Sequence, residues 1–141
     1  MKIVFVCTGN TCRSPMAEGI ARALLPQHNI ISRGLMAQQG MRVSAHAQTL
    51  LSAGDYDVPQ GSEPFTEDDS RADLILTMTS GHKQHIRMIY GDDVRVATLS
   101  EYVGTTYEVS DPYGGSYEMY KETFDQLTAL ISQLAKQLDM Q

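Results

Sequence analysis

The apolar positions of this chain alternate between the period of a strand and that of a helix. Ile3-Val4-Phe5-Val6 is apolar at every position, as a strand buried on both faces of a parallel sheet requires. Met16, Ile20, Ala23 and Leu24 recur at helical spacing, which predicts a helix from Met16 to Leu25 that stops before Pro26. Asn29 to Arg33 reads as a second short strand, and Gly34 to Arg42, rich in Gly and Gln, as a loop. Ser44 is the expected N-cap of a helix carrying Ala47, Leu50 and Leu51 and ending at Gly54. A polar loop, Asp55 to Glu63, and a short acidic turn, Glu67 to Arg71, lead to a strand from Ala72 to Met78. Ser80 is expected to cap a helix with Ile86, Ile89 and Tyr90 on one face, closed by Gly91. Val94 to Ala97 is the fourth strand, with Leu99 to Val103 after it. From Ser116 to Leu138, the residues Tyr120, Phe124, Leu127, Ile131, Leu134 and Leu138 mark a long helix. Strands alternating with helices predict an open parallel sheet with helices on both faces, an α/β fold of flavodoxin-like or Rossmann-like kind. The length suits one domain over residues 1–141. Ligands of such sheets lie beyond the carboxyl ends of the strands.

At the end of the first strand stands Cys7-Thr8-Gly9-Asn10-Thr11-Cys12-Arg13-Ser14, followed by Pro15. Strand, tight loop and helix N-terminus together aim backbone N–H groups and the positive end of a helix dipole at one point, which makes an anion site. The same field favours a thiolate over a thiol. Cys7 can thus serve as nucleophile, and Arg13 as a bidentate fork for phosphate oxygens. Gly9 and Asn10 are residue types that tolerate positive φ, and Pro15 suits the first turn of a helix. Ser14 can donate its hydroxyl to Cys7. A small buried Cys beside an incidental surface Arg would leave all of these residues without a reason.

On these residues the chain resembles the low-molecular-weight protein tyrosine phosphatase family, almost position for position from Met1 to Glu18. Thr11-Cys12-Arg13-Ser14 with a later Asp111-Pro112-Tyr113-Gly114-Gly115 is most similar to the bacterial branch that removes phosphate from phosphoarginine. The resemblance implies a four-stranded sheet of order 2-1-3-4, attack by Cys7 to give a cysteinyl-phosphate, and phosphate held by Arg13 and the loop from Thr8 to Ser14. It makes Asp111 the general acid and, for hydrolysis of the intermediate, the base. Alone, Asp111-Pro112 reads as a plain turn sooner than as a catalytic pair. A bound dianion's like charge favours the protonated form of a neighbouring carboxylic acid, which suits the role. The resemblance also implies that Ser32, otherwise an ordinary strand-end Ser, hydrogen-bonds the loop Asn10. A His that completes this network in family members has no counterpart near Gly61 to Phe65. Cys12 either packs as a small hydrophobe or, as in the family, forms a reversible disulfide with the nucleophile.

The choice of substrate turns on Thr11 and Gly114. Tyrosine-specific members carry a bulky aliphatic residue at the first position and often a second aromatic at the other. Thr11 offers less apolar volume and a hydroxyl, and Tyr113 gives a single wall, which favours a planar guanidinium and makes phosphotyrosine the alternative. Arsenate reductases of this fold need a further cysteine pair, and the chain has only Cys7 and Cys12. A phosphopeptide-binding module would need neither Cys7 nor Asp111.

Composition removes other classes. A formal net charge of −6 argues against a nucleic-acid partner, so any phosphate site is made locally by loop amides and Arg13. No apolar run has the length of a membrane span and the start reads as a strand, giving the expectation of a cytoplasmic monomer acting on phosphorylated proteins, away from membranes. Two thiols without further ligands predict no metal, and no cofactor is called for. His28, His46, His82 and His85 read as scattered surface residues, and Tyr117 and Tyr120 as core.

Overall fold

A computed structural model describes residues 1–139. Four parallel strands, β1 (Lys2–Cys7), β2 (Asn29–Gly34), β3 (Leu74–Thr77) and β4 (Val96–Thr98), form one sheet of order β2-β1-β3-β4. The expected order is therefore the observed one. β1 lies centrally and pairs with β2 from Lys2↔Asn29 to Cys7↔Gly34, and with β3 from Ile3↔Leu74 to Val6↔Thr77.

The continuous apolar run of β1 has the reason its pattern suggested. Ile3, Phe5 and Cys7 enter one core with α1 (Arg13–Leu24), α2 (Ala45–Ala53) and α5 (Tyr117–Asp139). Val4 and Val6 enter a second, smaller core with Ile75, Phe65 and Ile86 of α3 (Ser80–Tyr90). Strand alternation sends neighbouring residues to opposite faces, so both must be apolar. A short helix, α4 (Leu99–Tyr102), follows β4 directly.

Several local expectations need correction. The first helix starts at Arg13, not Met16, so Arg13 and Ser14 belong to its first turn. Leu24 is 36% exposed, and Leu25 turns inward in its place. The cap of α3 is Thr79, whose hydroxyl accepts the N–H of His82, and Ser80 is already helical. On α3 only Ile86 is buried; Ile89 is 59% exposed, because that helix covers the smaller core with one narrow stripe. The fourth strand begins at Val96, since Val96 N–H bonds back to Val94 O at 2.9 Å in a local turn. Ser44 stands at the N-cap of α2 but its side chain makes no capping bond. Thr98 and Glu101 form a capping box on α4, an element the apolar spacing left undefined. Tyr120 is core, whereas Tyr117 is 39% exposed, with its ring edge-on to His46 at 5.8 Å.

Candidate active site

β1 ends at Cys7 and α1 begins at Arg13, and the loop between them lies at the carboxyl edge of the sheet. No side chain caps α1, whose first-turn N–H groups stand ready for an anion. Pro15 sits in that first turn, where its missing N–H does no harm. The loop is held from three sides: Thr8 O accepts Met36 N–H at 2.9 Å, Thr11 O accepts Ser44 N–H at 2.8 Å, and Cys7 O accepts Leu35 N–H at 3.0 Å. Gly34 permits this approach, since a Cβ there would lie 2.7 Å from Thr8 O.

Cys7 is 2% exposed and its Sγ lies 2.9 Å from the Ser14 hydroxyl. Asn10 takes φ 56°, a left-handed conformation that Asn tolerates. Gly9 does not; its φ is not positive, so the loop's turn rests on Asn10 alone. The Asn10 amide is held on both sides. Glu63 N–H donates to its Oδ1 at 2.9 Å, while its Nδ2 donates to Ser14 Oγ at 2.7 Å and to Ser32 Oγ at 3.0 Å. Ser32 in turn donates to the carboxylate of Glu18 at 2.7 Å. Sequence reasoning gave Ser32 a place here but missed Glu18, a buried carboxylate one helical turn beyond Ser14. The signal for it was a polar stripe, Ser14, Glu18 and Arg22, at four-residue spacing along the helix.

Arg13 is 5% exposed. Its Nη1 lies 3.4 Å from Val109 O and its Nη2 3.5 Å from Asp111 Oδ2, while Nε finds no partner among the described residues. A buried guanidinium with an unused donor fits a site that takes an oxyanion. Asp111 comes from the loop between α4 and α5. Its Oδ1 accepts the N–H of Tyr113 at 3.1 Å, an Asx turn, and its side chain is 57% exposed. Gly114, at φ 74°, makes the bend that follows. Tyr113 stands in solvent, 78% exposed.

Cys12, the N-cap residue of α1, is buried in the larger core. Burial first, then the nearby Cys7, pushes its thiol up to about 12. His82 departs from its expected place on the surface. From the first turn of α3 it reaches the loop, with Nε2 2.9 Å from Thr8 Oγ1 and Nδ1 3.1 Å from Thr79 Oγ1. Burial, and then the charge of Arg13, lowers its pKa to about 4, so the ring is neutral at pH 7. Its position after β3, at the same sheet edge as Cys7, was the only sequence signal. A cavity of about 650 Å³ lies behind the loop, lined by Glu18, Ser32, Arg33 and the segment 57–63, without touching Cys7. Among the described residues no group of His, Cys, Asp and Glu is arranged to hold a metal ion.

Residues 2–141 match the family described as low molecular weight phosphotyrosine protein phosphatase. The chain belongs to that family. It is 47% identical over 134 residues to the low molecular weight protein-tyrosine-phosphatase PtpB of Staphylococcus epidermidis, covering 95% of this chain and 96% of that one. PtpB of Staphylococcus aureus shows the same identity and coverage. Among solved structures, a YwlE arginine phosphatase variant with a phosphorylated active-site serine superposes with a TM-score of 0.94 at 42% identity, covering 99% of this chain and 96% of that one. YwlE arginine phosphatase from Geobacillus stearothermophilus gives 0.93 at 36% identity, covering 99% and 93%. Membership makes this low-molecular-weight phosphatase a hydrolase of the cysteine-based class. None of its described helices is long and apolar enough to cross a membrane.

Proposed function

We propose that this phosphatase removes phosphate from phosphoarginine side chains of proteins, with phosphotyrosine the second substrate. The observation that carries the chemistry is the Cys7 thiol 2.9 Å from the Ser14 hydroxyl in the first turn of α1, the turn from which Arg13 reaches Asp111 at 3.5 Å. Cys7 attacks phosphorus in line with the departing nitrogen or oxygen. Amides from Thr8 to Ser14 and the unused Nε of Arg13 hold the equatorial oxygens. Asp111 protonates the leaving group, then takes a proton from the water that hydrolyses the cysteinyl-phosphate. Its solvent-facing position, 3.5 Å from Arg13, suits a carboxyl that meets the substrate at the mouth.

Thr11 supports the preference for arginine. It is half-buried on the loop itself, and it brings a hydroxyl in place of a larger apolar side chain. Gly114 leaves Tyr113 as a lone aromatic wall, and Asp111 can pair with a guanidinium. The resemblance in fold and sequence to YwlE arginine phosphatase points the same way, while the PtpB relatives carry the tyrosine name. Cys12 adds a redox role: peroxide converts Cys7 to a sulfenic acid, and the Cys12 thiol displaces water to close a disulfide that a reductant reopens. With its thiol pushed up to about 12, Cys12 carries little thiolate at pH 7, which slows this closure.

The test compares phosphoarginine and phosphotyrosine peptides on one protein sample. Wild type favours phosphoarginine in kcat/KM, Cys7→Ser loses both activities, and Thr11→Ile moves the ratio toward phosphotyrosine by about tenfold, or roughly 1.4 kcal/mol. Turnover of phosphotyrosine alone would overturn the arginine assignment. A Cys7→Ser variant that retained more than about a thousandth of the activity would overturn the mechanism.

A further inference from the structure

The chemistry above uses the amide of Thr8 and leaves its hydroxyl idle. Thr8 is exposed, and its hydroxyl has one hydrogen-bond partner among the described residues, His82 Nε2 at 2.9 Å. The hydrogens around this contact have one consistent arrangement. Thr79 Oγ1 accepts the backbone N–H of His82 at 3.3 Å, and its own hydrogen has the ring's Nδ1 as acceptor at 3.1 Å. A neutral ring whose Nδ1 accepts carries its proton on Nε2, so His82 donates to Thr8. One lone pair of Thr8 Oγ1 is then taken, and the other stays open to a donor. His82 stands close to the groups that meet the leaving group. The charges of Arg13, Asp111 and Glu108 act on its ring, as does His85 of the same helix, and Glu108 accepts the N–H of Ser80 at the start of α3. Thr8 and Thr11 are anchored from opposite faces of the sheet. Thr8 is tied to α3, over the smaller core, and the Thr11 carbonyl to Ser44, the residue before α2, over the larger one.

We infer that Thr8 is a second specificity residue, whose hydroxyl accepts an N–H of the substrate's guanidinium, and that His82 is the positioning residue that holds it there. The inference rests on the phosphoarginine reading and gives the site a polar contact on the flank away from Thr11. A guanidinium brings planar N–H donors that need acceptors once they leave water, and a phenyl ring brings none. A site built to meet such donors rejects an analogue without them, because its own polar atom is left unpaired. The neutral His82 suits this substrate, since a second cation beside Arg13 would repel the guanidinium charge.

Thr8→Val, His82→Leu, their double variant and His82→Gln decide the matter, assayed on phosphoarginine and phosphotyrosine peptides with melting temperatures recorded. Thr8→Val keeps the shape and deletes the acceptor, and should move the ratio of kcat/KM toward phosphotyrosine by about tenfold, the worth of one hydrogen bond. His82→Leu should move it as far, and the double variant no further, because both changes remove the same contact. His82→Gln, whose amide can donate to Thr8 in place of Nε2, should keep the ratio within about twofold of wild type. If His82→Leu fails to fold, Thr8→Val, at an exposed side chain, carries the test together with His82→Gln. A wild type that favours phosphotyrosine would remove the phosphoarginine reading, and the shift in ratio on Thr8→Val would still report whether the hydroxyl meets the guanidinium. Equal losses on both substrates in Thr8→Val and His82→Leu, as a merely structural contact would give, would overturn the inference. So would shifts that multiply to about a hundredfold in the double variant, or a proton found on Nδ1 of the His82 ring by NMR at pH 7.

Discussion

Asp111 holds its carboxylate 3.5 Å from Arg13 while more than half of its side chain stays in water. With the carboxylate that exposed, the pair contributes only about 0–1 kcal/mol to stability, which agrees with the chemical role proposed for it. Asp111→Asn should slow hydrolysis of substrates with poor leaving groups by about 10²–10⁴-fold, the range for a positioned general acid. An activated aryl phosphate, whose oxygen leaves without a proton, should lose much less, and melting should hardly change. Equal losses on both substrates would remove the acid role. Arg13 is the opposite case. Buried, with its Nε unpartnered among the described residues, it fits the proposed role of holding a ligand oxygen.

Among the elements, α3 contributes more than cover for the smaller core. Its first turn carries His82 to the hydroxyls of Thr8 and Thr79 and keeps the ring neutral, with its pKa lowered to about 4 by burial and then by Arg13. An unfolded chain binds a proton on this His near pH 6.5 that the fold refuses until about 4. The group's contribution is therefore complete above pH 6.5 and is lost as pH falls toward 4. Melting temperature should decline over that interval, and His82→Gln, which keeps polar atoms near both hydroxyls without titrating, should flatten the decline. An unchanged slope in the variant would mean that another group carries it. Protonation would also put a second cation beside Arg13 and pull at Thr8, whose amide belongs to the phosphate loop.

For the whole molecule, the larger core is what fixes the loop. Cys7 and Cys12 lie in the same cluster as Met16 and Ile20 of α1 and Leu127, Leu130 and Ile131 of α5. The loop is thus a rim of the core, and its geometry is as stiff as the packing beneath it. Leu127→Ala, at a fully buried position, should lower the free energy of unfolding by about 2–5 kcal/mol, read from the denaturant midpoint. Leu24→Ala, at a side chain 36% exposed on α1, should cost far less. Comparable losses at the two sites would contradict the burial that the packing assigns them.

The apolar run of β1, the helical spacing of α1 and α5, and the order Cys7 to Ser14 between them determined the strand, the helices and the kind of site that joins them. These are local properties: periodicity reports which face is buried, and a loop of fixed length between strand and helix has little freedom. The order of the strands followed from the likeness of Met1 to Glu18 to a family, and not from periodicity. Tertiary structure decided what distant segments bring to one place. His82 reaches Thr8 across 74 positions, Glu63 N–H fixes Asn10 across 53, and Asp111 meets Arg13 through a loop whose path no spacing encodes. It also decided that Asn10, and not Gly9, takes the left-handed turn, and that Glu18 faces inward to Ser32. A lone His or Glu in a sequence reads as surface. Only packing shows that it is buried, and burial gives its charge and its hydrogen bonds their force.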